Sequence, residues 1–73
     1  MAQTVRKGRH LHYRGKEYRV IGVALHTESK EEFVVYEQLY GDHKLWVRPI
    51  DMFLENVDFN GTVMPRFKYI STE

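Results

Sequence analysis

Four histidines are the first residues to weigh for chemistry, and two of them, His10 and His12, stand two positions apart. In a strand that spacing puts both imidazoles on one face, where they could share a metal ion. His26 or His43, with Glu28 or Asp42 as a carboxylate, would have to complete the set. Two strand histidines without a fixed third ligand make a weak centre, so the expectation is surface and turn histidines with local hydrogen bonds, no metal and no cofactor. Nucleophilic catalysis has less to work with. The chain has no cysteine, Ser29 lies in a charged stretch, Ser71 lies near the end, and neither serine sits in a G-x-S-x-G elbow. Asp51 and Glu55 could face each other across a helical turn as a general acid–base pair, but Asp51 is explained as well by the dipole of a turn starting after Pro49. No glycine-rich phosphate loop occurs, and so short a chain can hardly enclose a substrate pocket of several hundred Å³. No enzyme is expected.

Aromatic and basic side chains remain. Along residues 44–48 (KLWVR) the alternation places Lys44, Trp46 and Arg48 on one side, read as outward, and Leu45 and Val47 on the other, read as inward. Tyr36 and Tyr40 share a face of the preceding strand, and a turn at residues 41–43 would bring the two faces together. Small β-barrels bind single strands of nucleic acid by stacking bases on such rings while cations follow the phosphates. They also hold extended or proline-rich peptides in aromatic grooves. The candidate binding residues are therefore Trp46, Arg48, Tyr36 and Tyr40, with His12 and Arg14 nearby. A tryptophan in so small a protein is also a natural core residue, and Arg48 could clamp it by stacking or by pairing with Asp51.

The elements that would position these residues have period 2, not 3.6. Residues 9–13 (RHLHY) alternate, with Leu11 and Tyr13 on one side and both histidines on the other. A tight turn at Gly15 leads into residues 17–27, a long β-rich run whose bend is expected at Gly22, serving two sheets. Residues 28–32 read as a loop and residues 33–40 as a strand. Pro49 stops the strand at residues 44–48, because proline has no N–H to donate. The apolar residues 50–54 then suit one turn of helix plugging a barrel end. Asn60 and Gly61 are a strong hairpin signal between residues 57–59 and 62–70. The pattern predicts an all-β chain: a closed or nearly closed SH3-like barrel of five or six strands with one short helical turn. Residues 8–70 form the single domain, with loose tails at 1–7 and 71–73.

Composition sets the bounds. With 42% hydrophobic and 14% aromatic residues the chain is globular rather than disordered. A domain of this size buries only about 60% of its unfolded surface, so its core is thin. No run is apolar enough for a signal peptide or a membrane span, and a cytoplasmic location is expected. The net charge of +1 conceals a basic first segment, where Arg6, Lys7, Arg9, Arg14, Lys16 and Arg19 face only Glu17. Residues 28–43 are acidic in turn. Neighbouring strands of opposite charge explain this better than an anionic partner does in so small a chain.

Residues 8–57, followed by Pro65, Arg66 and Phe67, resemble a family of small bacterial domains of unknown function, the one numbered sixteen fifty-three. The likeness rests on linked motifs: residues 12–15 (HYRG), 34–36 (VVY), 39–41 (LYG), 45–49 (LWVRP) and 52–53 (MF). It implies a stand-alone β domain and brings no activity, substrate or site residue. The expected function is thus a binding module contacting nucleic acid, or a nucleic-acid-associated protein, through the aromatic and basic face. A peptide-binding or homodimerising interaction module on the same face is the alternative, with a metal protein or enzyme last.

Overall fold

The computed structural model describes residues 4–72. The chain is all-β with one helical turn. In order come β1 (Gly8–His12), β2 (Glu17–Leu25), β3 (Glu32–Gln38), β4 (Leu45–Pro49), α1 (Ile50–Phe53), β5 (Asn56–Phe59), β6 (Thr62–Pro65) and β7 (Phe67–Ser71). Among the described residues this makes seven strands rather than five or six, in a five-stranded sheet of order β4-β3-β2-β1-β7 and a separate β5–β6 hairpin. All neighbours in both sheets pair antiparallel. Strand pairing does not close a barrel here, because β4 and β7 remain the two ends of the larger sheet. Among the described residues no helix is long and apolar enough to cross a membrane.

Local chemistry explains the element ends. Pro49 ends β4 and stands at the N-cap of α1, whose first turn carries Asp51. Asn60 and Gly61 both have positive φ, 54° and 82°, the pair of values a type I′ hairpin turn requires. The expected run 62–70 is broken at Arg66, whose N–H donates to the Glu55 carbonyl at 3.0 Å. That exchange separates β6 from β7. The irregularity in β2 falls between Val20 and Gly22, with Ile21 bulged, and the strand stays within one sheet. One end of the expected N-terminal tail, residues 1–3, lies outside the described residues; further along, Val5 packs against the core and the Arg6 guanidinium sits 4.0 Å from the Tyr69 ring centre.

The core is small and aromatic: Val20, Val34, Tyr36, Ile50, Phe53 and Phe67. Phe53 of α1 stacks flat on Phe67 of β7, with ring centres 4.1 Å apart and planes 5° from parallel. Tyr36 lies 5.4 Å from each of them. The helical turn expected over residues 50–54 forms at residues 50–53, but it covers the core-side face of the sheet rather than the end of a closed barrel.

Strand facing differs from the expectation in three strands, and register is the reason. Directly opposed residues of an antiparallel pair share a face. Trp46 stands opposite Tyr36, and Arg48 opposite Val34, which is fully buried. Trp46 and Arg48 therefore belong to the inner face, while Leu45 and Val47, expected inside, are 65% and 60% exposed on the outer one. In β1 the histidines, expected at the surface, point inward: His10 is buried, while Leu11 on the other side is exposed. Tyr36, expected outward, is a core residue.

Candidate functional site

The inner face near β4 is held by a chain of side-chain hydrogen bonds. Trp46 Nε1–H donates to Gln38 Oε1 at 2.6 Å, and Gln38 Nε2 donates to the Tyr40 carbonyl at 3.1 Å. The Tyr40 and Tyr18 hydroxyls are 2.7 Å apart. Arg48 Nε–H donates to the Tyr36 hydroxyl at 3.3 Å. Gln38 is buried, so these bonds satisfy an amide that would otherwise be costly to enclose. They also fix the indole, which remains 49% exposed. Arg48 is thus anchored to Tyr36 rather than paired with Asp51.

Aromatic contacts carry the face across the sheet. Tyr18 of β2 meets Tyr36, Tyr40 and Phe67 edge-on at 5.4, 5.6 and 5.6 Å. His12 of β1 meets Phe67 edge-on at 4.9 Å and lies 4.6 Å from Tyr13. Its Nδ1 accepts the Arg14 backbone N–H at 3.2 Å. Lys16 Nζ sits 4.8 Å from the centre of the Tyr40 ring. Lys44 joins the same side, since its carbonyl accepts the Gln38 N–H at 3.0 Å and opposed residues share a face.

Of the residues singled out in the sequence, Trp46, Arg48, Tyr40 and His12 come together on this face, with Arg14 on the turn that follows β1. Tyr36 lies beneath them and contributes its hydroxyl to Arg48. Tyr18, Gln38 and Lys16 were missed. The signal for Tyr18 and Gln38 was available in the alternation, which groups them with buried Val20 and Tyr36.

The electrostatics are cationic. Burial lowers the pKa of His12, and Arg48, Arg66 and Arg14 lower it further. Burial also lowers that of His10, partly opposed by the Gly8 carbonyl, 3.1 Å from its Nδ1. Tyr18 is pushed up to about 12, first by burial and then by the Tyr40 hydroxyl, so it stays protonated at neutral pH. Glu55 Oε1 receives Arg66 NH2 at 2.9 Å. Among the described residues no three of His, Cys, Asp and Glu gather as a metal site. His26 instead accepts backbone N–H groups of its own turn.

Both inner histidines favour the neutral form when folded, so the unfolded chain binds protons more readily below the ordinary value of 6.5. Their contribution to stability is complete above that value and is lost as pH falls beneath it, through the lowered folded values. Melting midpoints measured between about pH 7.5 and pH 5.5 should therefore fall with pH, and His12→Gln should flatten part of the slope. A midpoint that rises on acidification over this window would contradict the assignment.

Residues 8–69 match the profile of a family described as "Protein of unknown function (DUF1653)". The chain is also similar to the crystal structure of a DUF1653 protein from Bordetella bronchiseptica, with a TM-score of 0.84 and 34% sequence identity over 90% of this chain and 87% of that one. No curated protein matches. With the profile spanning nearly every strand and the fold shared with that relative, the chain belongs to the DUF1653 family.

Proposed function

We propose that this protein is a binding module, not an enzyme, and that its inner face takes single-stranded nucleic acid. The carrying observation is Trp46, half in solvent yet fixed by its bond to Gln38, beside Arg48 and Tyr40. A pre-positioned indole suits base stacking, because little side-chain freedom is lost on binding. Arg14, Lys16, Lys44 and Arg48 are the cations placed to follow phosphates. On this reading the scaffold is an SH3-like barrel left open between β4 and β7, which gives a strand of nucleic acid a way across the face.

Titration of a fluorescently labelled single-stranded oligonucleotide at several salt concentrations tests the proposal. For single strands the log–log slope is about −0.7 per phosphate contacted, so four contacts predict about −3. Absence of binding at low salt would remove the proposal.

A second reading has its own support. β4 is an edge strand with Leu45 and Val47 exposed, and unpaired edges accept a further strand from a peptide or a second copy. Such association would be nearly insensitive to salt.

A further inference from the structure

A notch of about 180 Å³ opens where the β1–β2 turn meets β6 and β7, lined by Leu11, His12, Tyr13, Met64, Pro65 and Lys68. Its walls are almost wholly apolar. A cavity of roughly 150 Å³ accommodates a benzene ring, whereas drug-sized ligands need about 300 Å³ or more. One aromatic ring system is thus the size of occupant that fits.

The walls are built to stay open. Tyr13 is held by its N–H to the Arg66 carbonyl at 3.0 Å, by edge contact with Phe59 at 5.5 Å, and by the Arg14 Nε bond to its hydroxyl at 3.2 Å. Met64 adds a polarisable thioether suited to a ring. Two cations stand at the rim, Lys68 in the lining and Arg14 on Tyr13. His12 touches both this notch and the inner aromatic face, whereas Leu11 and Lys68, opposed in β1 and β7, face the other side of the sheet, so the notch lies round the β1–β2 turn from that face.

We propose that the notch is a nucleobase pocket, taking one unstacked base of a strand that leaves the inner face round the β1–β2 turn, while Arg14 and Lys68 meet the adjoining phosphates. The proposal rests on the nucleic-acid reading above and adds to it a site of fixed position. A strand bound by stacking and charge alone has no privileged nucleotide, whereas a pocket creates one.

The probe is a fluorescein-labelled ten-nucleotide single-stranded DNA, with a set in which one position at a time is abasic. In the wild-type protein one abasic position should weaken binding about tenfold, the worth of one stacked base, and the others less. The Met64 methyl group should show nuclear Overhauser contacts to base protons of the parent oligonucleotide. Met64→Trp, which fills the notch, should weaken the parent about tenfold and abolish the positional effect. If Met64→Trp does not fold, the abasic scan and the methyl contacts, both made on the wild type, decide. Binding that Trp46→Ala weakens, with a flat abasic scan and no Met64 contacts, would overturn the pocket and leave the inner-face reading standing. No oligonucleotide binding at all would overturn both. A proline-rich peptide that perturbs the Met64 methyl where the oligonucleotide does not would also overturn the pocket.

Discussion

Phe53→Ala is expected to remove a large part of the domain's folding stability at room temperature. Phe53 is 1% exposed and supplies the only aromatic side chain of α1, stacked on Phe67 and touched by Tyr36 and His10. Truncating a buried phenylalanine costs about 3–5 kcal/mol, through lost transfer energy and the cavity left behind. A chain of 73 residues has about 4–11 kcal/mol of stability in total. With six buried hydrophobic residues in the core among the described residues, there is little to absorb the loss, and no disulfide limits the unfolded state. The helical turn is too short to persist without the ring that anchors it. Urea unfolding followed by circular dichroism reads the result. A midpoint lowered by less than the equivalent of about 1 kcal/mol would mean that the Phe53–Phe67 stack is not the centre of the core. Phe53→Leu, which keeps most of the volume, should recover much of the difference.

That centre was only partly visible in the sequence. Element positions followed from local signals that tertiary structure did not override: proline ending β4, Asn60 and Gly61 turning the β5–β6 hairpin, and the largely apolar stretch after Pro49 forming α1. Facing was another matter. Period-2 alternation names two sets of residues on a strand without saying which set is inside, and a one-residue change of register exchanges them. In β4 the aliphatic pair Leu45 and Val47 looked like the core set, yet the opposition of Trp46 to Tyr36 decides for the other side. In β1 the same choice turned on His10, whose ring sits edge-on between Phe53 and Tyr69 with Nδ1 beside the Gly8 carbonyl. A neutral imidazole packs there as an aromatic residue, something polarity scales hide. An open five-stranded sheet with a helical turn over one face leaves aliphatic residues exposed on the other, so hydrophobicity alone misleads. Trp46, Arg48 and Tyr40 stay together although their face is the inner one, since a reversal of facing moves a whole alternating set at once. Tyr36 did not keep its exposure, and Gln38, which fixes the indole, carries no sequence signal stronger than its place in the alternation.

Trp46→Ala is the second change with a large expected effect, and its value lies in separating binding from folding. The indole is half exposed and its one polar bond goes to Gln38. Losing that bond should cost about 1 kcal/mol, because the Gln38 amide oxygen loses its partner. For a domain of this length such a loss lowers the melting temperature by about 4–8 °C and leaves the fold intact. Binding should suffer more. One aromatic platform is worth about 1–3 kcal/mol per stacked base, which corresponds to roughly a five- to 150-fold rise in Kd. Arg48→Gln should act differently, weakening binding modestly and making the salt slope shallower by about 0.7. Val47→Thr, on the opposite face of the same strand, serves as the control and should leave oligonucleotide affinity unchanged. The pattern across the three variants is what identifies the surface. Were Trp46→Ala to unfold the domain, the residue would belong to the core. Were it to stay folded and bind as the wild type does, while Val47→Thr lost affinity, the ligand would sit on the outer face along the β4 edge.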